Sequence, residues 1–206
     1  LAQGLTVGHL LECSSQGSGG NFAYNEKAKT AEEQATGYVR PQASACFIQS
    51  VQDNMEDIME LARSEAMLFK FGSGSGANFS KIREKDAKLS PGGRASGLMS
   101  FLPVFDVAAG SVASGGTSRR AAKMVVVNID HPEIEEFIDW KVKEEKKARD
   151  LIAAGWSGGM EGEAYKTVSG QNANNSVRVT DAFMRAVKAD GDHHLISRVD
   201  GRIVKT

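Results

Sequence analysis

Cys46 is a candidate for chemistry because it lies within the apolar run SACFIQSV, residues 44–51. The run is rich in residues that favour β-strands, so we expect the thiol to lie on a strand. A free cysteine in such a run is either a small buried hydrophobic side chain or a redox-active thiol. The residues alone leave both interpretations open.

The glycines of KFGSGSGANFSKIR, residues 70–83, raise the question of a phosphate-binding loop. Gly72, Gly74 and Ala77 match the dinucleotide-binding pattern G-x-G-x-x-G/A, which requires a helix that begins directly after the loop. The following residues have no apolar stripe at helical spacing and reach a Pro-Gly-Gly break at 91–93. The pattern therefore argues against a Rossmann-type site, and the glycines need another explanation.

Arginines are the candidate ligands for an anion. Arg119 and Arg120 lie in the segment SGGTSRRAAKM, where glycine permits unusual backbone angles and arginine offers a planar fork to a carboxylate or phosphate. Together with Asp53 and Arg83 they form a candidate nucleotide site, and a surface loop with incidental arginines is the alternative. His131 has no second histidine or cysteine at ligand spacing, so no metal site is predicted.

The elements that would position these groups alternate between strands and helices. We predict strands in residues 44–51, 67–71, 122–129 and 174–180, helices over 55–66, 96–116 and 181–190 and after Asp130, and a hairpin turn at Asp200-Gly201. Asp53 has the position of an N-cap with Glu56 completing a capping box, and Pro103 is expected at or near the start of its helix. The alternation indicates an α/β fold with a parallel sheet.

The composition narrows the class of protein. The chain has 206 residues, 41% of them hydrophobic and 25% charged, which is enough for one domain or a large part of one. A formal net charge of -1 argues against a direct nucleic-acid partner. The sequence contains no run of about 18 apolar residues, so no membrane span is predicted. Two cysteines, Cys13 and Cys46, fit a reducing cytoplasmic location.

Because the chain starts without Met and stops one strand after a hairpin turn, we interpret it as a fragment.

Four segments in succession resemble the catalytic subunit of ribonucleotide reductase, in particular its vitamin B12-dependent type (class II). They are PQASACFIQSV, MLFKFGSGSGANFSKIR, SGLMSFLPVFDVAAGSVASGGTSRRAAKMVVVNIDHPEIEEFIDWKVKEEKKA and AYKTVSGQNANNSVRVTDAFMRAV. The resemblance covers residues 38–206, a partial catalytic barrel domain, and residues 1–37 match weakly and are expected to be loop-rich. It implies a ten-stranded α/β barrel of two five-stranded parallel halves, of which this chain would supply much of the first half.

The resemblance implies a substrate site around the cysteine. Cys46 would be one of the pair of cysteines that reduces the substrate ribose at C2′ and ends as a disulfide. Ser44 and Ala45 would flank the thiol in the substrate pocket, and Gly74 and Gly76 would let the backbone approach the ribose. The glycines would then form a barrel wall and not a pyrophosphate-binding turn.

The resemblance also implies a second site, for a deoxynucleoside triphosphate effector. Asp53 would contact the effector sugar and Arg83 its phosphates, with helix capping and a surface ion pair as their respective alternatives. Arg119 and Arg120 would lie in the flexible loop that passes the identity of the effector to the active site.

The expected function is reduction of ribonucleotides to 2′-deoxyribonucleotides for DNA synthesis, catalysed by a ribonucleoside-diphosphate reductase that depends on adenosylcobalamin. The family's radical cysteine loop N-P-C-S-E, its second redox cysteine and its cobalamin-facing segments are not in this sequence, so the chain alone is expected to be inactive. Expected partners are the ribonucleotide, the effector, a thioredoxin-like or other thiol reductant, and a second copy of the chain in a possible homodimer. The alternatives are a reductase of a metal-radical class and a non-catalytic nucleotide-binding module derived from a reductase.

Overall fold

The computed structural model describes residues 22–25, 27–33, 46–70, 72–90, 92–112, 122–159 and 162–206. Its centre is a parallel sheet whose neighbouring strands are, in order, β3 (Cys46–Ser50), β4 (Gly74–Asn78), β5 (Lys123–Asn128) and β6 (Ala173–Arg178). The helices are α1 (Met55–Lys70), α2 (Leu98–Ser111), α3 (Ile134–Ala153), α4 (Glu163–Lys166) and α5 (Asp181–Ala189). The α/β fold with a parallel sheet, predicted from the alternation of elements, is confirmed.

The chain also forms two antiparallel hairpins. β7 (Leu195–Ile196) pairs with β8 (Ile203–Lys205) around the predicted turn at Asp200-Gly201, where Gly201 has a φ of 72°. β1 (Phe22–Asn25) pairs with β2 (Thr30–Glu33) inside the segment that was expected to be loop-rich. The second hairpin has a local cause, because the side-chain oxygen of Asn25 accepts backbone hydrogen bonds from the turn that follows it.

Helix α1 begins and ends differently from the prediction. Asn54 caps it by accepting a hydrogen bond from the N–H of Asp57 at 2.8 Å, so Asp53 is not the cap. The helix continues to Lys70 through the segment MLFKF, which the sequence predicted to be a strand. The continuation follows from burial, because Phe69 lies on the same buried stripe of the helix as Leu61.

The strand predicted at MLFKF is instead formed by the glycine stretch itself, as β4. Among the described residues between β4 and Leu98 no helix begins, which agrees with the argument against a Rossmann-type site. Helix α2 holds Pro103 as its sixth residue and ends at Ser111, well inside the predicted boundaries. The pair Gly115-Gly116, predicted to end this helix, lies outside the described residues.

One face of the sheet is covered by helices and forms the core. Ala77, Val125 and Val127 on this face are at most 2% exposed. They belong to one cluster with Ile58, Leu61, Leu102, Phe105 and Phe137 of the helices. Removal of these apolar side chains from water is the main force that holds the helices against the sheet.

The opposite face of the sheet is open in the described part of the chain. Cys46 is exposed there, Ile48 is 97% exposed and Met124 is 44% exposed. Side chains alternate between the two faces along each strand, so these residues share a face with their partners Gly74 and Gly76. The fold thus presents the cysteine and the glycines together.

Candidate functional site

The thiol of Cys46 lies beside Gly74 at the start of two paired strands. The two residues are partners in the parallel ladder between β3 and β4. A Cβ atom on Gly74 would stand 3.4 Å from the Sγ of Cys46 and 3.1 Å from the carbonyl oxygen of Ala122. Glycine therefore leaves open the space next to the thiol, which any other side chain would fill.

Exposure separates the two interpretations of Cys46. The side chain is exposed on the open face of β3 and forms no disulfide. A thiol that merely filled a space in the core would be buried among apolar side chains. The arrangement leaves the sulfur accessible to a molecule that lies against the open face.

Small and polar groups continue across the open face from the thiol. Gly76 is the partner of Ile48, and a Cβ on Gly76 would meet only the Cβ of Met124 at 3.8 Å. Further along the strands, the amide of Asn78 donates to the side-chain oxygen of Asn128 at 2.9 Å. Between the exposed side chains of Ile48 and Met124, the missing side chain of Gly76 leaves the backbone accessible, which suits the close approach of a polar ring such as a sugar.

Asp53 and Arg83, both predicted to contact the effector, form an ion pair. The Nε of Arg83 donates to one carboxylate oxygen of Asp53 at 2.5 Å, and the backbone N–H of Arg83 donates to the other at 3.1 Å. Both side chains remain about a quarter exposed, at 28% and 26%. The surface ion pair that was the alternative for Arg83 is therefore present, and the capping alternative for Asp53 is wrong because Asn54 is the cap.

The structure places the two candidate sites at opposite ends of the same strands. Cys46 and Gly74 are the first residues of β3 and β4, whereas Asp53 and Arg83 follow the ends of these strands. A strand of this length separates its ends by about 13 Å at 3.3 Å per residue. Asp53 and Arg83 therefore lie at the carboxyl ends of parallel strands, where ligands of α/β proteins commonly bind.

Four of the predicted site residues have no described position. Ser44, Ala45, Arg119 and Arg120 all lie outside the described residues. Of the residues predicted for the substrate site, Cys46, Gly74 and Gly76 are described, and of those predicted for the effector site, Asp53 and Arg83 are described.

His131 is a structural residue of the connection between β5 and α3. Its Nε2 lies 2.9 Å from the carbonyl oxygen of Ile82, and its Nδ1 accepts a hydrogen bond from the N–H of Glu133 at 3.1 Å. Burial lowers the pKa of His131, which favours the neutral ring that these two contacts require. In the described residues no group of three or more His, Cys, Asp or Glu side chains could hold a metal ion.

The sequence interpretation missed buried charged residues, of which Lys123, Glu65 and Asp106 are the least exposed. Lys123 pairs with Glu65 beneath the sheet, and both side chains are at most 2% exposed. Asp106, also 2% exposed, accepts hydrogen bonds from two backbone N–H groups just before β6. The available signal was position, because Glu65 lies on the apolar stripe of its helix and Lys123 directly precedes the buried run MVVV.

Comparison with known proteins gives the family. Residues 44–205 match the sequence model of the ribonucleotide reductase barrel domain. Residues 1–55, less than half of the chain, match the model of the acyclic terpene utilisation family protein AtuA.

Among the described residues, no helix is both long and apolar enough to cross a bilayer.

Curated relatives carry the same family name. A vitamin B12-dependent ribonucleotide reductase of Rhodopirellula baltica is 52% identical over 182 residues, which are 88% of this chain and 18% of the relative. The corresponding protein of Streptomyces avermitilis is 51% identical over 80% of this chain and 17% of its own length. A vitamin B12-dependent ribonucleoside-diphosphate reductase of Mycobacterium tuberculosis is 35% identical over 78% of this chain and 20% of its own length.

The chain spans about a fifth of the length of these relatives. Its parallel sheet, with the exposed cysteine beside a glycine strand, falls within the matched residues. The chain therefore belongs to the ribonucleotide reductase family and forms part of its barrel domain.

Proposed function

We propose that the protein containing this chain reduces ribonucleotides to 2′-deoxyribonucleotides, with Cys46 as one of two cysteines that supply the electrons. The observation that carries the proposal is the exposed thiol of Cys46 beside Gly74, on the open face of a reductase barrel domain. The name of the Mycobacterium tuberculosis relative favours a ribonucleoside diphosphate as the substrate.

The chemistry assigned to Cys46 is that of a dithiol reductant. A radical removes the 3′ hydrogen, the 2′ hydroxyl leaves as water, C2′ gains a hydrogen, and the 3′ hydrogen is then returned to C3′. Two thiols lose two electrons and two protons in this step and form a disulfide. A thioredoxin-like or other external thiol then restores both thiols by exchange, which suits a cytoplasmic location and a cysteine accessible at the surface of the site.

The names of the relatives favour adenosylcobalamin as the cofactor, which when bound supplies the initiating radical. No residue of this chain is assigned to the cobalamin, because the cobalamin-facing segments expected from the family resemblance are not in this sequence. The residues of this chain act on the substrate. Gly74 and Gly76, with Ser44 and Ala45, are proposed to line the ribose pocket and to hold the sugar against the thiol.

The Asp53–Arg83 pair is proposed to bind a deoxynucleoside triphosphate effector with Arg119 and Arg120. Its place at the carboxyl ends of β3 and β4 supports a ligand-binding role. The carboxylate of Asp53 can accept hydrogen bonds from sugar hydroxyls, and the guanidinium of Arg83 suits phosphate oxygens. The ion pair would hold both side chains in place before the effector arrives.

A homodimer is proposed to form through helices α1 and α2, which contact each other along one side of the domain. Met55, Met59 and Met67 of α1 are 43% to 57% exposed. Val104 and Val107 of α2 are 45% and 61% exposed. Apolar side chains exposed on two adjacent helices are typical of an interface, and sedimentation of the protein with Val107→Glu, expected to favour the monomer, tests this assignment.

The test of the redox role uses the complete reductase polypeptide that carries this domain. Cys46→Ser is expected to abolish multiple turnover with a thiol reductant while the affinity for deoxynucleoside triphosphates is unchanged. Cys13→Ser is the matched control and is expected to retain turnover. Unchanged turnover of the Cys46→Ser enzyme with an external thiol would refute the role.

Two further measurements separate the alternatives. Turnover that requires added adenosylcobalamin supports the B12-dependent class, whereas turnover without it favours a metal-radical reductase. Binding of deoxynucleoside triphosphates without any reduction by the complete polypeptide would favour a non-catalytic nucleotide-binding module.

A further inference from the structure

Strand β4 has few side chains that could fix its alignment with the edge strand β3. Two of its five residues are Gly74 and Gly76, and the facing residue Ile48 is 97% exposed. Glycine-rich strands specify register weakly, and a slip of one residue moves every side chain to the other face. Such a slip would carry the thiol of Cys46 to the helix-covered face of the sheet.

Buried hydrogen bonds cross the helix-covered face of the same strands. The amide of Gln49 on β3 donates to the hydroxyl of Ser75 on β4 at 2.9 Å, and this hydroxyl donates to the carboxylate of Glu65 on α1 at 3.0 Å. The other oxygen of Glu65 accepts a hydrogen bond from the ammonium group of Lys123 on β5. We name these four residues, Gln49, Ser75, Glu65 and Lys123, the polar chain.

We propose that the polar chain sets the register of β3 against β4 and thereby holds the thiol of Cys46 beside Gly74. The residues of the polar chain are positioning residues, since they lie on the face opposite to the thiol. They join three adjacent strands and one helix, and Glu65, Ser75 and Lys123 are each at most 5% exposed. The Gln49–Ser75 bond is the link of the polar chain that reaches β3, and loss of a hydrogen-bond partner is costly, so the bonded alignment is favoured over slipped ones.

The ladder positions of β3 show which slip breaks the polar chain. Phe47 is the ladder partner of Ser75, whereas Gln49 is the partner of Ala77 and reaches the Ser75 hydroxyl along the same face. A slip that pairs Phe47 with Ala77 would put Phe47 in the place of Gln49, and the phenyl ring cannot form the hydrogen bond to Ser75. A slip by one residue would turn Gln49 to the open face.

The ion pair gives the polar chain a fixed anchor in the core. The ammonium group of Lys123 lies 5.2 Å from the ring centroid of Phe79 and 4.8 Å from that of Phe105. Burial lowers the pKa of Lys123, and the carboxylate of Glu65 opposes this change. A well-packed apolar pair is often as stable as a buried ion pair, so stability alone does not account for the charges. The side chain of Glu65 also provides a directional acceptor for the Ser75 hydroxyl, which an apolar residue could not.

The test traps the register by disulfide formation, in a background with Cys13→Ser and Cys46→Ser. Ile48→Cys with Gly76→Cys reports the native alignment, because these residues are partners and Gly76 has room for a side chain. Gly76→Cys with Cys13→Ser and with Cys46 retained reports a shift by two residues, the one that pairs Phe47 with Ala77 and carries Gln49 away from Ser75. Brief oxidation followed by mass spectrometry of the peptides gives the ratio of native to shifted cross-link.

Ser75→Ala is expected to lower this ratio about tenfold, because removal of one buried hydrogen-bond partner changes an equilibrium by that order. Ser80→Ala is the matched control. Ser80 is equally buried, and its hydroxyl accepts a hydrogen bond from the N–H of Asn128 on β5 and not from a residue of β3. An unchanged ratio in Ser75→Ala, or an equal fall in Ser80→Ala, overturns the proposal.

Gln49→Leu provides a second variant should Ser75→Ala fail to fold, because it removes only the bond to β3 and leaves the buried ion pair intact. The same fall in the ratio is expected, and an unchanged ratio overturns the proposal. The assay involves no turnover. A negative result therefore leaves the proposed reduction chemistry standing, and an inactive enzyme leaves the register assignment standing.

Discussion

Replacement of Lys123 by Met tests the energetics of the buried ion pair beneath the sheet. The variant removes one charge and leaves the carboxylate of Glu65 in a site where it is 2% exposed. Removal of one partner of a buried pair typically costs about 3–5 kcal/mol, because the other charge is left uncompensated. We expect Lys123→Met to lower the free energy of unfolding by about this amount, a large share of the roughly 5–15 kcal/mol that stabilises a domain.

The double variant Glu65→Gln with Lys123→Met separates charge from packing. Gln retains an acceptor for the Ser75 hydroxyl. Met fills the space between the rings of Phe79 and Phe105, which suit a thioether. With neither charge present, the double variant is expected to lose only about 1–2 kcal/mol of its free energy of unfolding. The loss in the double variant should therefore be smaller than the sum of the two single losses by about 3 kcal/mol or more.

Urea-induced unfolding followed by far-UV circular dichroism measures both effects, provided that the slope of the transition does not change. Lys205→Met is the control, because Lys205 pairs with Glu135 at the surface, where both side chains are more than half exposed. An exposed pair of this kind contributes about 0–1 kcal/mol. A cost below about 1 kcal/mol for Lys123→Met, or additive costs in the double variant, would refute the reasoning.

Three further predictions follow from the geometry. Burial holds the pKa of His131 below its ordinary value of 6.5, so its contribution to stability is present above that pH and is lost as the pH falls through the lowered value. The urea midpoint should therefore fall on acidification by less in His131→Asn than in the unsubstituted chain, and equal falls would contradict this. Asp106→Ala should lower the free energy of unfolding by about 3 kcal/mol, because two backbone N–H groups before β6 lose their acceptor. Hydrogen exchange of these two amides should become faster, and unchanged protection would oppose the assignment. Gly74→Ala should slow alkylation of Cys46 by a maleimide, because a Cβ at residue 74 lies 3.4 Å from the sulfur. Gly76→Ala should not slow it, because a Cβ at residue 76 meets only the Cβ of Met124, at 3.8 Å. Equal alkylation rates in the two variants would count against this reasoning.

The elements that the sequence predicts well are those whose own residues carry a clear local signal, such as an apolar run, a helix cap or a turn pair. Strand β5 is a continuous apolar run with Val125 and Val127 buried on one face, as expected for a covered parallel strand. Helix α5 follows its N-cap Thr180, whose side chain accepts a hydrogen bond from the N–H of Phe183. The hairpin at Asp200-Gly201 carries its own turn residues.

The strand that the sequence did not predict is β4, where local preference and tertiary structure disagree. Glycine is depleted in strands because it has no side chain to pack and loses more backbone entropy on ordering. The segment MLFKF has the better strand composition, yet burial of Phe69 keeps it in helix α1. The pairing of β4 with β3 and β5 supplies what its own residues lack.

The candidate site was predicted by family resemblance more than by physical pattern. The contact between Cys46 and Gly74 depends on the register of two strands separated by helix α1, and no local pattern specifies that register. The pairing of Asp53 with Arg83 likewise joins residues on either side of a strand and a helix. A charged residue beside an apolar run, such as Lys123 before MVVV, is the sequence signal that a buried partner of opposite charge is present, because a buried charge needs a partner.

The two faces of the sheet make opposite demands on the same strand. Close approach of a sugar to the backbone requires that Gly74 and Gly76 have no side chains, and the absence of side chains removes contacts that would align β4 with its neighbours. Alignment must then come from the covered face, where Ser75 is the residue of β4 that can form directional bonds to both β3 and α1. In our proposal a substitution at a buried serine, with no contact to the open face, would displace the thiol on which the chemistry depends. Residues that lie entirely within the core can thus control a site they never touch, because adjacent strands transmit alignment residue by residue.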